Sequence, residues 1–316
     1  MNFLVIGGDG FIGSHICRHL VRHGHRVSMF GPAFRKFLIE DIDAQLEKMT
    51  GDITDRSATL HAIEQTRPDV VVHLAAYGAG DQGVARSAQQ SPQKAMDVNV
   101  LGFFNLLEAA KTCPTVHKVI WSGSSTVFGP AEDYAAETVT ETSPVDPRLF
   151  YGLTKAINEL TGQYYHRQCD LEVIGIRLPL IYGPGRWYKG AGAALVDIFE
   201  KSHAPEPVKI TGGAEPIDLM YVKDIPALIE QIALTSKRLD AVYHVKSHTT
   251  TLKEMCATVK RLIPDYRLEF EEEPSHLVYP LMETAKIKHD LGYEPQYTLE
   301  AACTDYLKSL GRIKHD

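Results

Sequence analysis

Tyr151 and Lys155 stand four residues apart in Tyr151-Gly152-Leu153-Thr154-Lys155, a spacing that puts both on one face of a helix. An ammonium beside a phenol stabilises the phenolate. It lowers a pKa that starts at about 10, so that the Tyr can give or take a proton closer to neutrality. Upstream, Ser122-Gly123-Ser124-Ser125-Thr126-Val127-Phe128-Gly129 supplies hydroxyls that could hydrogen-bond a substrate oxygen beside the phenol. Alone, a Tyr and a Lys at this spacing read as a solvated helix face. Their order behind the first segment of the chain changes that reading.

The first segment opens with Phe3-Leu4-Val5-Ile6, a short apolar run that reads as a buried strand. Gly7-Gly8-Asp9-Gly10-Phe11-Ile12-Gly13 follows directly, and Ile12, Ile16 and Leu20 then recur at helical spacing. Strand, glycine-rich turn and helix together build a dinucleotide site. Gly7 permits the tight turn, Gly10 lets the backbone approach a pyrophosphate, and Gly13 lets the helix pack closely on the strand. The helix N-terminus offers free N–H donors to the phosphates.

Further along, Arg26–Phe30 and Val70–Leu74 read as strands, and a long amphipathic helix is expected from about Ser91 to Lys111, before Pro114. Val116–Ser122 and Leu171–Leu178 read as strands around a helix from Tyr151 to Arg167. Alternating strands and helices predict an α/β fold, a Rossmann-type doubly wound parallel sheet with helices on both faces. Beyond about Pro179, Gly and Pro become frequent and segments shorten. Residues 1–178 are therefore expected to form the dinucleotide-binding domain, its sheet completed by a return near 214–246, and residues 179–316 mainly a smaller, partly interleaved substrate lobe.

The 316 residues suffice for a large core, and the net charge of −7 argues against a nucleic-acid surface or an anionic membrane partner. Five scattered cysteines without a Cys-x-x-Cys pair read as reduced thiols. No apolar run approaches membrane-spanning length, and the first strand begins too early for a signal peptide, so a cytoplasmic protein is expected. His15, His19 and His23 share one helical face. No carboxylate or cysteine joins them in sequence, so a packed or exposed face is expected there rather than a metal site.

With these motifs the chain resembles the extended short-chain dehydrogenase/reductases, also called the NAD-dependent epimerase/dehydratase family. Besides the glycine turn and the Tyr–Lys pair, the matching segments are Gly51-Asp52-Ile53-Thr54-Asp55, His73-Leu74-Ala75-Ala76, Asn99-Val100-x-Gly102, Arg177-x-Pro179, Tyr182-Gly183-Pro184-Gly185, Tyr221-Val222-Lys223-Asp224 and Leu291-Gly292-Tyr293-x-Pro295. The resemblance implies Tyr151 as general acid/base and Lys155 as the group that holds the nicotinamide ribose and lowers the Tyr pKa. It implies Ser124 as the substrate-hydroxyl partner, with Ser125 or Thr126 as alternates. Asp52 and Ile53 would meet the adenine. Phe11, Ile12, Leu74, Ala75, Ala76, Ser122, Pro179 and Ile181 would line the cofactor site, and Asn99 would shape the main chain behind the Lys. The helices Ser91–Lys111 and Tyr151–Arg167 resemble the pair that relatives use to form a homodimer.

The chain also departs from that pattern. Where NAD-preferring relatives end the second strand with a ribose-binding acid, Gly31 stands here, with Arg35 and Lys36 close behind, which leans the cofactor reading from NAD toward NADP. Leu180 replaces the Asn three residues after Arg177, Ile217 replaces an Arg before Asp218, and Glu271-Glu272-Glu273 stands where a later Arg often holds a diphosphate. These changes remove charge-assisted donors and point away from a nucleotide sugar, toward a smaller polyol, a free sugar derivative or a partly apolar alcohol or ketone. Leu149-Phe150 precedes Tyr151 in place of a small polar residue and a Pro. Ser125-Thr126 occupies the place of the dehydratase Asp-Glu pair and disfavours that chemistry. The long segment Tyr77–Gln90 and the aromatic pair Trp187-Tyr188 are candidate walls or lids of the substrate pocket. The sequence thus points to an NAD(P)-dependent oxidoreductase moving a hydride between nicotinamide and a hydroxyl or carbonyl carbon. A sugar epimerase without net cofactor turnover is the runner-up, and a catalytically silent dinucleotide-sensing protein is the reading from another class.

Overall fold

A computed structural model describes residues 1–275 and 277–314. Seven parallel strands form one sheet in the order Val242–His244, Glu172–Leu178, Lys118–Ser124, Val70–His73, Asn2–Ile6, Arg26–Gly31, Leu46–Thr50. The order reverses direction at the first strand, which pairs Ile6 with Phe30 on one side and with His73 on the other. A crevice opens there at the carboxyl ends of the strands.

The strands read as continuous apolar runs because both faces of the sheet are covered. Phe3, Val5, Val70, Val72, Ile120 and Ile174 point into one buried layer. Leu4, Ile6, Val71, Val119 and Val173 point into the other. The first layer is closed by Ile16 and Leu20 of helix Phe11–Arg22 and by Leu228 and Ile232 of helix Ile225–Leu234. The second is closed by Ala62 and Ile63 of Arg56–Thr66, by Phe103, Leu106 and Leu107 of Gly102–Ala110, and by Tyr165 of Phe150–Gln168.

A separate apolar cluster holds the smaller elements together: Tyr182, Phe199, Leu219, Tyr221, Val259 and Tyr306 are buried in it. Around it lie a three-stranded sheet (His248–Thr250, Ile217–Tyr221, Leu180–Tyr182) and the parallel pair Val208–Gly212 with Leu268–Glu272. Helices Leu252–Leu262 and Leu299–Ser309 pack there too.

The helix expected from Ser91 to Lys111 is not one regular helix. Pro92–Ala95 and Gly102–Ala110 are α-helical, and Met96–Leu101 between them is a π-turn, a wider turn often found at functional sites.

Candidate active site

The crevice continues into a cleft of about 890 Å³ between the sheet and the smaller elements. At its sheet end, Gly7 adopts φ +84, a left-handed conformation that favours glycine. A Cβ on Gly13 would collide with the Gly7 carbonyl, so strand and helix touch backbone to backbone. Gly10 N donates to that carbonyl at 3.1 Å and caps the helix with no side chain, so the first-turn N–H groups face the cleft. A backbone cradle of this kind fits a pyrophosphate. Gly7, Gly10, Phe11, Ile12, Gly13, Asp52, Ile53, Leu74, Ala75, Ala76, Ser122, Pro179 and Ile181 all line the cleft.

Arg35 lines it as well, yet its charge is already engaged. Its backbone N–H and guanidinium both bond the buried Asp9, at 2.9 and 3.3 Å, and the guanidinium lies 5.1 Å from the centre of the Trp187 ring. Lys36 is exposed and does not line the cleft. Sequence reasoning missed Asp9, a residue inside the glycine turn whose partner lies 26 positions away.

Tyr151, Ser124, Ser125 and Thr126 line the middle of the cleft, and Lys155 lies behind them, fully buried. The Lys155 ammonium donates to the Ser122 carbonyl at 2.7 Å and sits 5.5 Å from the centre of the Tyr151 ring. Desolvation drives the two groups in opposite directions. Burial pushes the Tyr151 phenol above its ordinary value and pulls Lys155 down to about 7. The hydrogen-bond partner of the ammonium is thus the Ser122 carbonyl rather than the phenol oxygen. Ser124 Oγ accepts from Thr126 N at 3.2 Å and from Thr126 Oγ1 at 2.9 Å. Its own O–H is thereby left to donate outward, with Thr126 as its support.

Asn99 stands behind the wall, in the π-turn. Its side chain accepts from Tyr77 N at 2.7 Å and donates to Thr154 Oγ1 at 3.0 Å. Its carbonyl accepts from Asn158 Nδ2 at 2.8 Å. Asn158 was not singled out in the sequence, although its place three residues after Lys155 puts it on the same helix face.

The far end of the cleft is made by side chains. Leu149, Leu180, Ile217, Leu252, Val278 and Met282 give it apolar walls, with Tyr77, Trp187 and Tyr188 at the junction with the cofactor end. Glu271, Glu272 and Glu273 are exposed and lie outside the lining, so they do not face a ligand there. The carboxylates that do line it are Asp218 and Glu215. Asp218 is consumed by Lys246, Thr249 and the Met282 N–H, and Glu215 accepts from Ser275 at 3.0 Å. The buried hydroxyl of Tyr279 has no partner among the described residues.

Arg186 is the one guanidinium at this end of the described lining. It is buried and donates to the carbonyls of Tyr188, Ile181 and Lys189. It therefore organises the loop that carries Trp187 and Tyr188. That loop reaches over the cleft: Tyr188 packs edge-on against Phe11, Trp187 against Phe37, and Lys189 N donates to Asp81 O at 3.1 Å. His15 anchors its start through Pro184 O at 2.9 Å. Neither Arg186 nor Tyr279 had a signal in the sequence.

A doubly wound sheet with a glycine cradle and a Ser–Tyr–Lys wall defines a dinucleotide-dependent enzyme class, and the solved structures agree on the fold. L-threonine dehydrogenase from Clostridium difficile superposes with a TM-score of 0.85 at 20% identity, covering 98% of this chain and 97% of that one. UDP-glucose 4-epimerase from Thermotoga maritima gives 0.84 at 24%, covering 99% of each. Among curated relatives, a probable UDP-glucuronate 4-epimerase of Rhizobium meliloti is 30% identical over 246 residues, 75% of this chain and 68% of that protein. The dTDP-glucose 4,6-dehydratase of Haemophilus influenzae is 25% identical over 98% of this chain and 97% of its own length. The model of the NAD dependent epimerase/dehydratase family matches residues 3–248, and the chain belongs to that family. Among the described residues, no helix is long and apolar enough to cross a membrane.

Proposed function

We propose that this protein is a dehydrogenase or reductase that interconverts a hydroxyl and a carbonyl on a substrate smaller or less charged than a nucleotide sugar. The carrying observation is that Ser124 and Tyr151 line the same cleft as the glycine cradle, with the Lys155 ammonium behind them. A nicotinamide dinucleotide held in the cradle would supply or accept the hydride. Ser124 donates to the substrate oxygen, because Thr126 already occupies its acceptor sites. Tyr151 exchanges the hydroxyl proton with that oxygen, and Lys155 supplies the positive charge that makes a phenolate tolerable in a buried place. The apolar walls of Leu180, Ile217 and Val278, and the absence of a free cation at the far end of the described lining, support a substrate without a diphosphate.

Between the dinucleotides, Gly31 leaves no ribose-binding carboxylate at the end of the second strand, which leans the choice toward NADP. The pairing of Arg35 with Asp9 opposes that lean. Asp9→Asn would free Arg35, and it should lower the Kd for NADP relative to NAD. An unchanged ratio would remove Arg35 from the choice.

A second reading, an epimerase that oxidises and re-reduces one substrate, is favoured by the loop that covers the cleft between Phe11 and Phe37, since such a roof would retain the cofactor through both half-reactions. Nicotinamide absorbance separates the two. Steady change with a substrate supports the dehydrogenase or reductase. Isomerised product with no net change, together with cofactor that co-purifies, supports the epimerase. We also propose a homodimer, because Leu101 at the end of the π-turn, Phe104 on helix Gly102–Ala110, and Leu153, Leu160 and Tyr164 on helix Phe150–Gln168 are exposed apolar residues; sedimentation as a monomer would refute it.

A further inference from the structure

The histidines of the cofactor helix are not a simple surface face. His15 leaves the trio to bind Pro184, and Glu230 arrives from helix Ile225–Leu234, a partner more than 200 positions away in the chain. His19 Nε2 lies 2.7 Å from Glu230 Oε2, and His23 Nδ1 lies 2.8 Å from both carboxylate oxygens. His25 Nε2 also reaches Oε1, at 2.9 Å. The imidazole rings of His19 and His23 are 3.9 Å apart at their centres. Two imidazole nitrogens and one carboxylate oxygen, all within 4.8 Å of one another, thus converge on a single region. None of the four residues lines the cleft.

We propose that His19, His23 and Glu230 bind a divalent transition-metal ion of the zinc class, with His25 holding the carboxylate from outside. Helical spacing puts His19 and His23 on one face, so two ligands come preorganised from a single element. Imidazole nitrogen with one carboxylate suits Zn²⁺ and its first-row neighbours and is a poor set for Mg²⁺ or Ca²⁺, which take oxygen. The hydrogen bonds converging on Oε2 hold the donors close to a chelating arrangement, and a small sideways shift of each ring opens the ~2.0–2.2 Å ligand distances that zinc needs. His25 on Oε1 plays the part that outer partners take at metal sites, fixing the carboxylate's orientation. The site lies at the C-terminal end of helix Phe11–Arg22, where the helix dipole favours a cation, and the half-exposed His23 gives the ion a way in. The bound ion would clamp the helix whose other end forms the cofactor cradle to helix Ile225–Leu234. Its role would be structural, since none of its residues lines the cleft.

The test uses the full-length chain without an affinity tag, stripped with a chelator and titrated with Zn²⁺ alone by calorimetry, with metal content measured after desalting. The expected result is saturable 1:1 binding and a rise in Tm with Zn²⁺ but not with Mg²⁺. His23→Ala and Glu230→Gln should each abolish the 1:1 event, and His25→Ala should weaken it by about 10–100-fold. Circular dichroism and dinucleotide binding confirm that the variants are folded. Absence of a 1:1 event in the parent, or its persistence in folded His23→Ala and Glu230→Gln, overturns the site.

Discussion

The two ends of the cleft are made of different material. At the cofactor end, Gly7, Gly10 and Gly13 present main chain, and a single added methyl on Gly13 would meet the Gly7 carbonyl. At the substrate end, the walls are mostly side chains drawn from segments around 149, 180, 186–191, 213–218, 252, 275 and 277–282. A site made from backbone restricts which residues its positions can carry, because only glycine lets two chains come that close. A site made from side chains restricts only shape and polarity, and many residues meet those needs. One end is therefore bound to a ligand class, and the other is free to change substrate on an unchanged frame.

That contrast can be broken in several places. Removing the proton donor where the two ends meet should have the largest effect. Tyr151→Phe is expected to lower kcat by about 10²–10⁴-fold while leaving dinucleotide affinity near its parent value, measured by fluorescence titration. Equal losses in both would mean that Tyr151 supports the fold rather than the chemistry. Gly13→Val should weaken dinucleotide binding by about 10–100-fold, from ~1–3 kcal/mol of overpacking in the cradle. A valine tolerated without loss would show that the cradle is not backbone-limited. Leu180→Asn combined with Ile217→Arg should tighten binding of a nucleoside diphosphate by about tenfold, since a charge-assisted donor is added at an apolar wall. No gain would show that the far end excludes such ligands by shape rather than by missing charge.

The smallest effect is on stability. Burial holds His15 and His248 down at about 4, and His73 and His244 at about 3, so all four stay neutral in the fold. Their unfolded-state values lie near 6.5, so the unfolded chain takes up protons first as the pH drops. The stability they contribute is intact above about pH 6.5 and falls with pH down to the folded-state values, by at most about 1.4 kcal/mol per pH unit for each histidine. His248→Gln should flatten the dependence of Tm on pH over that window by one such share. A slope that does not change would assign the acid sensitivity to other groups.

The same contrast explains how much was legible in the chain. Apolar strand runs and the glycine turn dictate the parallel sheet and the cradle through local sterics, so both could be read directly. That Ser124 and Tyr151 share one cleft with Lys155 behind them was legible because their order along the chain follows the order of the elements that carry them. The commitment of Lys155 to Ser122 was not, since it depends on which acceptor lies nearest once both are buried. Arg35 read as a free cation, and only the folded turn brings Asp9 to it. Arg186 and Tyr279 gain meaning from burial, and Glu230 from a partner on a distant helix; no local pattern encodes either.

The π-turn at Met96–Leu101 has a consequence of its own. Such a turn holds one residue more than a regular helical turn requires. Loss of one residue there would return the segment to an α-helix and keep Phe103, Leu106 and Leu107 in phase with the core they fill. It would also take Asn99 out of reach of Tyr77, Thr154 and Asn158, parting the wall of the cleft from the helix that carries Tyr151. A single-codon deletion at this point would thus separate the scaffold from its chemistry, a separation that few substitutions in a packed core can make.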